Sequence, residues 1–180
     1  LTTLQGTATT YSNDSVSAFS ILSKNIGVSA QSASNLDEFF RSIGSNIKDQ
    51  ADIISGTVAL ENNRFGISLS QRKIFEEVAS ISTNIALSIE AQGKSLAKAA
   101  FEANRLGLSM QQVEKISSSI LDFESSITQE LEAELLIGRD INLERARLAA
   151  LNNDMRKVAA EIGRQGITQG SFFFKYFSLW

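Results

Sequence analysis

The residues best suited to chemistry form an acidic run in the second half of the chain. The run consists of Asp122, Glu124, Glu130, Glu132 and Glu134, and no basic residue occurs between positions 115 and 139. Glu130 and Glu134 fall one helical turn apart, where paired carboxylates can hold a divalent cation or exchange protons with a substrate. The simpler interpretation is a solvated helix face beside Ile127, Leu131 and Leu135. We favour this interpretation, because di-iron bundles also need Glu-x-x-His pairs and the chain has no histidine.

Composition removes most catalytic designs. The chain contains neither histidine nor cysteine, which excludes the usual general base, the thiolate nucleophile and nearly every zinc, haem or iron–sulfur ligand set. We therefore expect no enzymatic activity, no cofactor and no metal site. The 17 basic and 20 acidic residues are close to balance, so charge predicts no nucleic-acid partner. The chain also lacks proline, so no residue forces a helix to stop.

Apolar residues three or four apart predict the amphipathic helices that must position these carboxylates. One helix is expected to begin at Ser70 as N-cap, with Leu69 packing on Ile74, and to end at Gly93. A shorter, alanine-rich helix follows and ends at Gly107. Its small side chains would allow close approach to a neighbouring helix.

Two further helices complete this pattern. Ser109 and Gln112 have capping-box spacing, which predicts the start of a third helix that carries the acidic run and ends at Gly138. A fourth helix is predicted to begin at an Asn142 cap and to be closed by Gly163 together with Gly166. This helix is mostly basic, so the acidic and basic helices are expected to pair across the Gly138 turn, which would guide register more than stability.

A short turn motif recurs along the chain. Its three copies are Ile26-Gly27-Val28-Ser29, Phe65-Gly66-Ile67-Ser68 and Leu106-Gly107-Leu108-Ser109, which lie 39 and 41 residues apart. Each copy can end one helix at the glycine and cap the next with the serine. The spacing is compatible with a helical repeat of about 40 residues, although matches of four residues also arise without one.

These patterns predict an all-α fold. We expect several long amphipathic helices joined by Gly/Ser turns, arranged as an extended helical bundle or a coiled-coil assembly. Residues 1–66 form a Ser-rich, weaker helical region, residues 67–166 a helical hairpin or coiled-coil region, and residues 167–180 an aromatic-rich C-terminal segment. No stretch has the roughly 18–20 consecutive apolar residues of a membrane-spanning helix. We expect the chain to be a segment of a longer protein.

The helical stripes predict a seam for self-association. The seam residues are Ile74, Val78, Ile81, Ile85, Ile116, Ile120, Phe123, Ile127, Leu131, Leu135, Leu148, Leu151, Met155, Val158 and Ile162. Much of the stripe follows the three- and four-residue steps of helices that pack side by side. We therefore predict that copies of the chain associate through it.

The C-terminal residues predict a second contact. Six of the 14 aromatic residues occur there, namely Phe172, Phe173, Phe174, Tyr176, Phe177 and Trp180. This segment is too short to span a membrane. It either fills an apolar site on a partner or on a neighbouring copy of the chain, or begins an apolar element that continues beyond the sequence. We slightly favour the second interpretation.

Two stretches carry a resemblance to a known family. Ile120-Leu121-Asp122-Phe123-Glu124-Ser125-Ser126-Ile127, with Glu130-Leu131-Glu132-Ala133 and Leu136-Ile137-Gly138-Arg139 after it, resembles the tail tape measure proteins of bacteriophages. The helix start Asn142-Leu143-Glu144-Arg145-Ala146-Arg147 is similar to a segment of the same family. The likeness extends over about residues 70–166 and contains no catalytic signature.

The resemblance implies a rod-like structural protein of the virion, inside the phage tail, whose length sets the length of the tail. Its partners would be three or six copies of itself, the tail tube, and the hub proteins of the tail tip or baseplate. A membrane would be a partner only during infection. The main alternative is a helical subunit of a bacterial flagellar or secretion-system filament or translocator, because such subunits are also rich in Ser, Asn, Gln and Ala.

Overall fold

The computed structural model describes residues 13–81, 86 and 96–166, and all secondary structure in this part of the chain is helical. A π-helical segment, Ile21–Ile26, continues the first helix. The α-helices are α1 (Asn13–Ser20), α2 (Ala30–Ser42), α3 (Ile47–Phe65), α4 (Gln71–Ser80), α5 (Leu96–Arg105), α6 (Met110–Leu121), α7 (Phe123–Ile137), α8 (Glu144–Leu151) and α9 (Met155–Arg164). The predicted all-α class is confirmed.

Serine hydroxyls begin three of these helices, as the cap patterns predict. The Oγ atoms of Ser29, Ser70 and Ser109 accept hydrogen bonds from backbone N–H groups three residues later. At Ser109 the capping box is complete, because the side chain of Gln112 also accepts from the Ser109 N–H at 2.7 Å. Each cap satisfies a backbone donor that the helix itself leaves without a partner.

The three recurring glycines adopt the same backbone conformation. Gly27, Gly66 and Gly107 have φ values of +81°, +63° and +76°, in the left-handed region that favours glycine. The N–H group after each glycine then donates to a carbonyl in the last turn of the preceding helix, at 2.9–3.1 Å. Ser29 and Ser109 cap the helices that follow, whereas the second copy begins its helix at Ser70 instead of Ser68.

The helices pack as two layers. In the first layer α1 lies against α3, α3 against α5, and α5 against α9. In the second layer α2 lies against α4, α4 against α6, and α6 against α8. Successive helix–glycine turn–helix units therefore stack side by side, as in helical repeat proteins. Residues before and after position 66 contribute to one buried core, which includes Phe40, Phe75 and Phe101.

The predicted third helix is divided in two, which corrects the expectation of one long helix from Ser109 to Gly138. The chain leaves helical geometry at Asp122, whose ψ is +88°. There the Asp122 carboxylate accepts hydrogen bonds from the Ser125 hydroxyl at 2.8 Å and from the Ser125 N–H at 3.5 Å. Asp122 thus ends α6 and caps α7, because aspartate competes for backbone donors and suits caps better than helix interiors.

The predicted fourth helix is also divided, and the physical cause is similar. Asn152 and Asn153 end α8, and Asn153 has a φ of +52°, a conformation that asparagine tolerates better than most residues. Asp154 then caps α9 by accepting from the Lys157 N–H at 3.1 Å. Asn142 is not the N-cap of α8, since Leu143 occupies that position, although its Oδ1 accepts from the Glu144 N–H at 3.0 Å.

The helix that starts at Ser70 is shorter in the described residues than predicted. α4 ends at Ser80, and Ile81 has extended backbone angles. Apart from Ala86, which is helical and buried, the predicted continuation through Ile85 to Gly93 lies outside the described residues, as does the aromatic segment 172–180. The longest described helix is α3, with 19 residues.

Candidate interaction surfaces

The two carboxylates that sequence spacing places one turn apart serve as anchors for the chain after α7. One carboxylate oxygen of Glu130 accepts from the Leu143 N–H at 2.9 Å, and the other pairs with the Arg147 guanidinium. Glu134 accepts from the Ile141 N–H at 2.8 Å. Both carboxylates therefore hold the loop between α7 and α8 against α7. Within the described residues, no group of three or more carboxylates has an arrangement that could hold a metal ion.

Glu130 also compensates for a missing cap. The N-cap residue of α8, Leu143, has no side-chain oxygen to satisfy the first N–H groups of the helix. The Glu130 carboxylate supplies a negative charge at this helix N-terminus, where the helix dipole favours one. Arg147 extends the contact, because its Nε also donates to the Ser126 hydroxyl at 3.3 Å. The predicted pairing between the acidic and basic helices thus occurs at Glu130 and Arg147.

The outward side of α7 carries an uncovered apolar stripe, defined here as Phe123, Ile127, Leu131 and Leu135. All four side chains are exposed, and Leu135 reaches 85% of full exposure. The opposite side of α7 contacts the body of the protein through small or polar residues such as Ser126 and Ala133, which are its only buried residues. This helix therefore presents its large apolar side chains to the outside.

Further exposed apolar side chains lie on α7 and α8. Leu136 and Ile137 follow the stripe at the end of α7, and Leu148 and Leu151 are exposed on α8. Arg147 contacts α7, and Leu151 lies one helical turn further on the same side of α8. Monomeric proteins rarely expose apolar clusters of this size unless they bind a partner there.

The structure divides the predicted self-association seam into two groups. The residues buried within the chain's own core are Ile74, Val78, Ile116, Ile120, Met155, Val158 and Ile162, and Ile81 is partly buried against that core. The exposed residues are Phe123, Ile127, Leu131, Leu135, Leu148 and Leu151. Ile85 lies outside the described residues. Only the exposed group, all on α7 and α8, remains available to a second molecule.

A sequence repeat that the apolar helix stripes do not show forms a second candidate interaction surface. Residues 57–66, 98–107 and 157–166 read TVALENNRFG, KAAFEANRLG and KVAAEIGRQG, which share Ala, Glu, Arg and Gly at the same positions. Aligning the chain on its turn glycines would have shown this repeat. The three copies form the ends of α3, α5 and α9, which are neighbours in the first layer.

The repeat aligns three ion pairs in that layer. Glu61 lies 3.6 Å from Arg64, Glu102 lies 2.5 Å from Arg105, and Glu161 lies 2.8 Å from Arg164. Between the three helices runs a groove with a volume of about 550 Å³, and its lining includes all six of these residues. We call it the basic groove, because Lys98, Arg156 and Lys157 also line it.

No protein-family model, curated protein or solved structure matches the chain. Within the described residues, no helix is both long enough and apolar enough to cross a membrane.

Proposed function

We propose that this chain is a structural, non-enzymatic subunit that associates with copies of itself through the apolar stripe of α7, as a segment of a phage tail tape measure protein inside the virion. The uncovered stripe is the observation that carries this proposal. It combines four large exposed side chains at successive helical turns with an inner side whose buried residues, Ser126 and Ala133, are small. An exposed apolar stripe of this kind is removed from water when a second molecule packs against it.

The size of the stripe sets the expected strength of the contact. From Phe123 to Leu135 it extends about 18 Å along α7, at about 1.5 Å per residue. Phe123, Ile127 and Leu131 are each only about half exposed. Burying the part of the stripe that is exposed therefore contributes about 3.5–7 kcal/mol, because full burial of one such side chain is worth about 1.5–3 kcal/mol. Association itself costs about 4–15 kcal/mol. The stripe alone thus supports a weak contact, which Leu148 and Leu151 can strengthen.

The fold changes what the tape-measure resemblance implies for this segment. A ruler of continuous helices gains about 1.5 Å per residue, but stacked helices of 8–19 residues gain far less. We therefore propose that residues 13–166 form a folded module of the ruler, while other parts of the parent protein set the tail length. In this module the coiled-coil prediction is replaced by helix packing between copies that involves the stripe of α7, in groups of three or six at the tail tip.

Sedimentation velocity on the purified chain tests the self-association. The wild-type chain is expected to form oligomers at micromolar concentration, and the combined change Leu131→Ser and Leu135→Ser is expected to leave monomers. Ile53→Ser is the matched control, because Ile53 is also an exposed apolar residue but lies on α3. All variants should unfold within about 0.5 kcal/mol of the wild type, as is usual for exposed positions. A wild-type chain that stays monomeric would contradict the proposal.

The assignment to the tail has a separate test. Internal deletions in the parent reading frame, outside this segment, are expected to shorten the tail in proportion to the residues removed, as measured by electron microscopy. Tails of unchanged length would contradict the tape-measure role while leaving the self-association of the segment intact.

A further inference from the structure

The basic groove has an excess of positive charge that its own residues do not neutralise. Glu61, Glu102 and Glu161 each pair with the arginine three residues later. Lys98, Arg156 and Lys157 also line the groove, and no acidic side chain in the described part of the chain pairs with them. The lining therefore carries six cations and three anions, whereas the chain as a whole has a net charge of −3. This contrast indicates an anionic partner.

The aromatic residues of the groove make nucleic acid a poor fit. Single-stranded nucleic acid binds by stacking its bases on free aromatic faces beside basic side chains. Phe65 is 39% exposed, but its ring already has neighbours, because Arg64 and Arg105 lie 5.2 and 4.8 Å from its centroid and Phe101 stacks at 6.1 Å. The groove instead suits a partner with a few carboxylates and apolar side chains, because Leu106 and Ala160 line it as well.

The acidic helix α7 has this chemistry. Its exposed Glu124 and Glu132 border the apolar stripe, and neither has an ion-pair partner in the described residues. No basic residue occurs between positions 115 and 139, so nothing on α7 would oppose the cations of the groove. Within one molecule α7 is held beside α8 by Glu130 and Arg147, so its stripe remains open to a second molecule.

We propose that the basic groove of one copy receives the acidic, apolar face of α7 from a second copy. This inference rests on the proposed self-association and names the surface that the stripe contacts. Because the groove and α7 are different surfaces of one chain, the contact is head-to-tail, and such contacts form closed rings or open filaments. Rings of three or six copies are the closed forms that fit the proposed role. An amphipathic helix held in a groove with charged edges is a common mode of recognition.

Charge reversal tests this contact directly. Lys98→Glu with Lys157→Glu reverses the groove and leaves its three internal ion pairs in place. Glu124→Lys with Glu132→Lys reverses the border of the stripe. Each double variant is expected to weaken self-association about tenfold, because two favourable pairs become repulsive. The quadruple variant, in which both surfaces are reversed, is expected to regain wild-type association. Lys48→Glu with Lys115→Glu is the matched control, since it makes the same change of charge on exposed positions elsewhere.

The outcomes separate this inference from the proposed function. If the groove variant associates like the wild type while Leu131→Ser with Leu135→Ser is monomeric, the stripe contacts another surface and only the groove inference fails. If the wild type is monomeric, both proposals fail. Binding of a labelled poly-dT oligonucleotide that is lost in the groove variant, with self-association unchanged, would assign the groove to nucleic acid and overturn the inference. Loss of association in either double variant without rescue in the quadruple variant would also overturn it.

Discussion

Replacing Glu130 by alanine separates the two interpretations of the acidic run. In the structure this carboxylate accepts from the Leu143 N–H at 2.9 Å and pairs with Arg147, so its loss should release the start of α8 from α7. The pair is largely shielded from water, since the side chains of Glu130 and Arg147 retain only 13% and 11% of their full exposure. If the carboxylate instead bound a cation or took part in catalysis, its removal would leave the fold largely unaffected.

The expected cost follows from these two contacts. A hydrogen bond to a charged group contributes about 1.5–3 kcal/mol, and removing one partner of a shielded ion pair leaves the other charge without compensation. We expect Glu130→Ala to lower the free energy of unfolding by about 3 kcal/mol, which for a chain of this size lowers Tm by about 6–12 °C. Glu130→Gln keeps an oxygen for the Leu143 N–H and should lose about half as much.

Thermal and urea unfolding followed by circular dichroism at 222 nm measure this loss. Glu132→Ala is the matched control, because Glu132 is on the same helix but exposed, and it should change stability by no more than about 0.5 kcal/mol. Equal stability of the Glu130→Ala and Glu132→Ala variants would refute the anchoring role. A wild-type Tm that rises with Ca²⁺ or Mg²⁺, and no longer does so in Glu130→Ala, would show that the pair binds a cation instead.

Two further predictions concern the turns that divide the helices. Asp122→Ala removes the cap of α7 and should lower the free energy of unfolding by about 1 kcal/mol, and the helical circular dichroism signal should increase because α6 and α7 can then join. Asp52→Ala, at an exposed position within α3, is the control. Unchanged stability and helicity of Asp122→Ala would contradict the capping role. Gly66→Ala should lose about 1–2 kcal/mol, whereas Gly56→Ala should gain about 0.5–1 kcal/mol. Neither new methyl group would meet an atom within 4 Å, so the two variants differ only in the backbone conformation of the glycine they replace. Urea unfolding should therefore show changes in the free energy of unfolding of opposite sign, and changes of the same sign would contradict this reasoning.

Local features of the fold could be predicted from the sequence because they depend on a few neighbouring residues. Ser70 and Ser109 cap helices, and Gly107 and Gly138 end them in the left-handed conformation, as their spacing predicts. These effects act over one helical turn, so the tertiary environment has little opportunity to change them. The all-helical class follows from the same local patterns.

Helix lengths could be predicted less well from the sequence, because they depend on small competing energies. A continuous apolar stripe from Val113 to Leu135 predicts one long helix, yet Asp122 divides it and Asn153 divides the next. Both residues gain local hydrogen bonds or a tolerated left-handed conformation at a break, but the same residue types also occur within helices, as Asp52 does within α3.

The partner of each apolar side chain was decided only by the tertiary structure. Ile120 and Phe123 belong to one stripe in the sequence, but the bend at Asp122 buries the first and exposes the second. Helical periodicity shows which side of a helix is apolar and contains no information on whether the same chain or another one covers it. For the same reason Glu130 could be recognised as one of a pair of carboxylates, but its contact with Leu143 and Arg147 required the folded chain.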